Sequence, residues 1–146
     1  MEIIPMTEAH VFSVAKLEAA CFSMPWSENS VRGELTNDLS LWLVAMDGDT
    51  LVGYIGSQTC GEESDMMNVA VAPEYRRQGI AEALVKALCS SLANQGASSL
   101  TLEVRASNTS AIMLYEKLSF VQIGRRPRYY TRPTEDALIF RKELFV

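Results

Sequence analysis

The stretch M-M-N-V-A-V-A-P-E-Y-R-R-Q-G-I-A, from Met66 to Ala81, decides the fold. Val69-Ala70-Val71 ends a short apolar strand, Pro73 turns the chain, and Arg76, Arg77 and Gly79 lead directly into an amphipathic helix. A helix start presents backbone N–H groups with no intrahelical partner and carries about half a unit of positive charge. Gly79 has no side chain to keep an anion from the backbone, and two guanidinium groups stand beside it. Strand, turn and helix start together read as a cradle for a diphosphate.

Outward from the cradle, Ile80, Leu84, Leu88 and Leu92 recur every four residues, which predicts a helix packed on a sheet. It ends near Asn94-Gln95-Gly96, where Gly96 takes the left-handed position past the helix. Ser99 to Arg105 alternates, with Leu100, Leu102 and Val104 on one side and Thr101, Glu103 and Arg105 on the other. Asn108 caps a further helix carrying Ala111, Leu114, Tyr115 and Leu118 on one face. Phe120 to Ile123 and Ala137 to Phe140 read as two closing strands, separated by a basic, aromatic loop from Arg125 to Arg132.

In the other direction lies a meander of strands, Leu41 to Met46, Leu51 to Ser57 and Glu62 to Val71. The turns between them are Asp47-Gly48-Asp49 and Cys60-Gly61-Glu62. Glu2 to Pro5 reads as an edge strand, because Pro5 has no N–H for a ladder. Thr7 caps a helix carrying Val11, Val14, Leu17 and Cys21, and Ser27 caps a short second one through Val31 and Leu35. The joining loop, Cys21 to Trp26, is either core packing or one wall of a cleft. One α/β (α+β) domain over residues 1–146 is expected, a mixed, mostly antiparallel sheet flanked by helices.

Composition narrows the function classes. The chain has 146 residues, nearly half of them apolar, and a net charge of −5. That is enough to bury a core, and it argues against nucleic acid as the principal partner. No run is long enough to cross a membrane, and the start does not resemble a signal peptide. Cys21, Cys60 and Cys89 lie far apart, and His10 is the one histidine. Neither a disulfide framework nor a metal site is expected, and a reducing cytoplasm is.

Two common phosphate motifs, G-x-x-x-x-G-K-[ST] and G-x-G-x-x-G, are absent. Instead R-x-x-G-x-A at Arg76 to Ala81 is followed by E-V-R-x-x-N-x-x-A-x-x-L-Y from Glu103 to Tyr115. In that order the segments resemble the GNAT superfamily of N-acetyltransferases, and within it the bacterial ribosomal-protein-alanine N-acetyltransferases of the RimI type. The resemblance covers most of the chain and is tightest from Met66 to Phe120. It implies that Val69, Ala70 and Val71 pair with the pantetheine arm of acetyl-CoA. It also implies that Arg76, Arg77, Gln78, Gly79, Ile80 and Ala81 hold the diphosphate and that Asn108 contacts the cofactor. Glu103 matches the family's general base and Tyr115 its general acid. The implied acceptor is the N-terminal alanine of a small-subunit ribosomal protein, reached without membrane or nucleic acid. Other GNAT activities on lysines, other protein N-termini or small amines are the alternatives, together with a non-catalytic acetyl-CoA-binding module.

Residue chemistry bears on the same assignments. An amine attacks a thioester only when neutral, so a strand-end carboxylate such as Glu103 has a proton to take. A phenol such as Tyr115 can protonate the departing thiolate. A peptide α-amine has a reference pKa about 2.5 units below that of lysine, which makes its deprotonation roughly 3.4 kcal/mol less costly. Each residue also has a plainer reading: Glu103 a solvated strand residue, Tyr115 core, Asn108 a cap. Two departures from the family pattern stand out. Ser119 occupies a place where glycine is common before phenylalanine, which predicts a different turn. Arg125 to Tyr130, R-R-P-R-Y-Y, is unusually basic; it is either a solvated loop or a substrate wall formed by Tyr129 and Tyr130, its arginines then meeting RNA or cofactor phosphate.

Overall fold

The computed structural model describes residues 1–144. The chain runs β1 (Glu2–Pro5), α1 (Glu8–Cys21), α2 (Glu28–Gly33), β2 (Ser40–Asp47), β3 (Thr50–Cys60) and β4 (Glu63–Val71). It continues through α3 (Ile80–Asn94), β5 (Ser99–Arg105), α4 (Thr109–Lys117), β6 (Val121–Tyr130) and β7 (Glu135–Glu143). The strands form one sheet in the order β1-β2-β3-β4-β5-β7-β6, antiparallel throughout except where β4 meets β5.

Alternation along the strands divides the core between the two faces of this sheet. Leu43, Ala45, Ile55, Leu100, Leu102, Val104 and Phe140 face α3 and α4, where Leu84, Leu88, Leu92 and Tyr115 complete a buried cluster. Trp42, Val44, Tyr54 and Ala70 face the other way, onto Val11 and Val14 of α1 and Val31 of α2. The helix starts follow their caps. Ser27 accepts from the Ser30 N–H at 3.1 Å, and the Thr7 N–H donates to Nδ1 of His10 at 2.9 Å.

Two expectations need correction. Arg125 to Tyr130 is strand rather than loop, so the connection to β7 shrinks to residues 131–134. β6 lies at the sheet edge, where Pro127 removes no obligatory ladder bond, and its register with β7 shifts between Arg126 and Tyr130. Asp136 holds the irregular segment by accepting from the Arg128 N–H at 2.9 Å and from Nε of Arg125 at 2.6 Å. Ser119, the second case, has φ 72°, the left-handed geometry that a glycine would supply, so the turn is kept without the glycine.

The Cys21–Trp26 loop packs, as one of its two readings held. Trp26 stands edge-on to Trp42 at 5.4 Å, and Trp42 stacks on Tyr54 at 5.9 Å. Room for the Trp42 ring comes from Gly56, where a Cβ would lie 2.3–2.6 Å from ring atoms. With Trp26 and Tyr54 flanking it, that ring has nowhere to retreat. Gly56→Ala is expected to cost about 3 kcal/mol of folding stability, the upper range for overpacking, measured by urea unfolding.

Candidate active site

β4 and β5 pair in parallel only from Glu63↔Ser99 to Asp65↔Thr101. Beyond that point the strands part. β5 stays paired to β7 through Arg105, and β4 stays paired to β3 through Val71. The cause lies in β4, whose register with β3 shifts so that Met66 and Asn68 oppose Ser57 and Gly56, leaving Met67 as an extra residue. A bulge of this kind bends its strand and increases the twist. The edge of Val69, Ala70 and Val71 that faces β5 is consequently free of strand pairing.

At the far end of β4 the Arg76–Ala81 segment leads into α3 through a left-handed glycine. Gly79 has φ 78°, and a Cβ there would meet nothing within 4 Å. Among the described residues, the N–H groups of Arg77, Gln78, Gly79, Ile80, Ala81 and Glu82 find no acceptor; the first i→i−4 bond of α3 runs from the Ala83 N–H to the Gly79 carbonyl at 3.0 Å. Arg77 itself has φ 63°, which helps to turn successive N–H groups the same way. The Arg76 guanidinium folds back, donating from Nε to the Val71 carbonyl at 3.2 Å and lying 3.6 Å from Sγ of Cys21. The residues present fit a bound diphosphate: open space, orphaned donors and two exposed cations.

Tyr115 and Glu103 belong to opposite faces of the sheet on either side of this gap. Tyr115 comes from the α4 side, 4% exposed, with its hydroxyl 4.0 Å from the sulfur of Met66, where the strands separate. Burial, with a smaller contribution from Tyr130, pushes its phenol up to about 12. Glu103 points to the other face, and its Oε2 is buried with no hydrogen-bond partner among the described residues. Such an orphaned oxygen is rare in a folded protein and calls for a donor. Asn108 accepts from the Ala111 N–H at 3.3 Å, so it is the cap of α4, with its amide N–H groups uncommitted among the described residues.

Tyr129 and Tyr130 sit on the Glu103 side, edge to face at 5.1 Å. A hydrogen bond from Tyr129 toward the Glu103 carboxylate, then burial, raises the Tyr129 phenol. Burial first, then the Glu103 charge, lifts Tyr130 to about 12. Arg105 lies over the Tyr130 ring at 4.5 Å and ties down the β6–β7 turn through the carbonyls of Thr131 (3.0 Å) and Pro133 (2.9 Å). Arg126 lies over Tyr129 at 5.5 Å. Of the basic segment, Arg125 is committed to Asp136 and Arg126 to the tyrosine wall.

Sequence reasoning missed Asp65, Glu18 and Asn68. Asp65 shares the Glu103 face by register, and its carboxyl is raised by burial and then by the charges of Glu103 and Glu63, with Arg126 opposing. Glu18 is wholly buried beneath the Cys21–Trp26 loop and accepts from Asn68 beside the bulge. One signal was readable for Glu18, a carboxyl falling four residues after Val14 on an otherwise apolar helix stripe. Among the described residues no group of three or more His, Cys, Asp or Glu gathers as for a metal ion. No helix among them is long and apolar enough to cross a membrane.

This geometry has close counterparts. The chain is 35% identical over 125 residues to the [Ribosomal protein bS18]-alanine N-acetyltransferase of Escherichia coli (strain K12), covering 84% of each chain. It is 37% identical over 144 residues to an uncharacterized protein of Mycobacterium leprae, covering 94% of this chain but only 39% of that longer one. The crystal structure of the ribosomal-protein-S18-alanine N-acetyltransferase from Escherichia coli superposes with a TM-score of 0.91 at 31% identity, over 99% of this chain and 94% of that one. The family profile "Acetyltransferase (GNAT) family" matches residues 11–120, a span that takes in the bulge, the start of α3, the gap, Glu103 and Tyr115. The chain belongs to the Acetyltransferase (GNAT) family.

Proposed function

We propose that the chain is an N-alpha-acetyltransferase that moves the acetyl group of acetyl-CoA to the N-terminal alanine of a small-subunit ribosomal protein, by direct transfer with donor and acceptor bound together. The carrying observation is the gap between β4 and β5, with a donor-less carboxylate oxygen on one face and a buried phenol on the other. The acceptor assignment draws on the bS18-alanine N-acetyltransferase relatives.

Acetyl-CoA supplies an electrophilic thioester carbonyl. The orphaned N–H groups of residues 77–82, with Arg76 and Arg77, bind its diphosphate, and the free edge of Val69 to Val71 gives backbone donors and acceptors to the pantetheine amides. Asn108 adds its uncommitted amide at the opening of α4. Glu103 Oε2 accepts from the incoming α-ammonium and takes its proton directly or through a water. Tyr115, which stays protonated throughout the neutral range, returns a proton to the departing sulfur. Tyr129 and Tyr130 wall the acceptor side, and Asp65 adds negative charge there. The α-ammonium loses two protons in becoming an amide, one to Glu103 before attack and one as the tetrahedral adduct collapses; the departing thiolate takes one from Tyr115, whose phenol is then restored, and one proton per turnover leaves to solvent. No cysteine is required, and Cys21, Cys60 and Cys89 all lie outside the Glu103–Tyr115 pair.

Two measurements follow from this reading. Peptides beginning Ala-Arg are expected to be acetylated at the free N-terminus and left untouched once that terminus is blocked; acetylation of blocked peptides at lysine would point to the wrong acceptor class. Glu103→Gln should lower kcat about a hundredfold, and Tyr115→Phe by roughly tenfold or more, with acetyl-CoA binding retained. Ultraviolet titration of the wild type against Tyr115→Phe should show the missing phenol titrating near 12, since burial disfavours the phenolate. A difference spectrum centred near the ordinary tyrosine value would remove Tyr115 from the role of a protonated acid.

A further inference from the structure

We infer that Glu18 is a positioning residue for the acceptor side of the reaction, holding the α1–α2 loop at a fixed spacing from the bulged strand β4. The inference rests on the acetyl-transfer reading above and concerns a residue that touches neither substrate. Glu18 is 0% exposed. Its carboxyl group accepts from the hydroxyl of Tyr54, from Nδ2 of Asn68 on both oxygens at 2.8 and 3.0 Å, and from the Trp26 N–H at 3.0 Å. Among the described residues it has no cationic partner within ion-pair distance. A buried carboxyl of this kind is a poor way to gain stability, since an apolar side chain of similar volume does at least as well. What it supplies is a geometric tie between groups that no apolar residue could register.

Those groups border the gap on different sides. Asn68 follows the extra residue Met67 and immediately precedes Val69 to Val71. Tyr54 lies behind it on β3, paired with Ala70. Trp26 belongs to the α1–α2 loop, whose Met24 sulfur accepts from the Thr131 hydroxyl at 3.0 Å. The Thr131 carbonyl in turn receives Nη2 of Arg105, which lies over Tyr130. The loop thus spans from the bulge to the tyrosine wall, over the face that Glu103 occupies, and Glu18 fixes its inner end. The N–H groups of residues 77–82 lie outside this chain of contacts, and of the cradle only Arg76 reaches the loop, at its Cys21 end (3.6 Å) and not at Trp26, so loosening the Trp26 end should disturb the acceptor far more than the donor.

The test compares wild type, Glu18→Gln, Tyr54→Phe and Val14→Ala as acetylators of an Ala-Arg peptide, with acetyl-CoA affinity measured separately by calorimetry. Val14 is an equally buried residue of α1 with no polar duty and controls for lost stability. Glu18→Gln should raise the acceptor KM roughly tenfold, and Tyr54→Phe by a smaller factor, with acetyl-CoA affinity held within about twofold. Val14→Ala should lower the melting temperature and leave the acceptor KM alone. An unchanged acceptor KM in Glu18→Gln, or an equal rise in Val14→Ala, would overturn the inference and leave Glu18 a merely structural residue. Should Glu18→Gln fail to fold, Tyr54→Phe decides by the same criterion. A wild type inactive on free α-amines would overturn the acetyl-transfer reading and the inference with it; an active wild type with unaffected variants overturns the inference alone.

Discussion

A parallel pair of strands that stops pairing after Asp65 and Thr101 governs the rest of this molecule. In a continuous sheet the alternate backbone groups of Met66 to Val71 that face away from β3 would have bonded to β5, and no ligand could have used them. Here Met67 bulges out of the β3 ladder, β4 bends away, and β5 is kept straight by its unbroken pairing with β7. Backbone N–H and C=O groups near a core must find partners. An extended ligand carrying amides of its own suits a free strand edge of this kind. The same parting lets Tyr115 reach Met66 from one face while Glu103 stands on the other.

Charge is divided along the gap in a way the net charge of −5 conceals. The cradle end is positive, with Arg76, Arg77 and the uncapped start of α3. The opposite end is acidic, with Glu103 and Asp65 near each other and Arg126 tempering both Asp65 and Tyr129. A ligand negative at one end and an acceptor positive at its amine are each met by the complementary sign. Most remaining charges near the site are occupied with each other, Arg105 with Glu135 and Arg125 with Asp136. These pairs fix the β6–β7 turn, and Oε2 of Glu103 keeps no hydrogen-bond partner among the described residues.

The sequence was most legible where physical periodicity was strong. Ile80, Leu84, Leu88 and Leu92 could only be a buried helix stripe, and Leu100, Leu102 and Val104 only one face of a strand. Gly79 and Asn108 announced their helix starts, the first by its left-handed backbone and the second by its side-chain cap. The bulge was not legible, because M-M-N-V-A-V reads as unbroken strand and one extra residue changes no composition. β6 was hidden for a different reason: three arginines and Pro127 argue for a loop unless the strand is known to lie at an edge. The insertion of β7 between β5 and β6 is a long-range choice that local patterns do not encode. Glu18 departed from the pattern around it, and such departures tend to mark sites where geometry outweighs stability.

The claim on which all of this turns is that acetyl-CoA lies along the free edge of β4 with its diphosphate on the start of α3. Amide hydrogen exchange read residue by residue by NMR, with and without acetyl-CoA, tests it most directly. Slowed exchange confined to Val69, Val71 and residues 77–82 is the predicted result, since those N–H groups face away from β3 or lack an acceptor and gain partners from the ligand. Protection that leaves both segments unchanged while acetyl-CoA is bound would contradict the account.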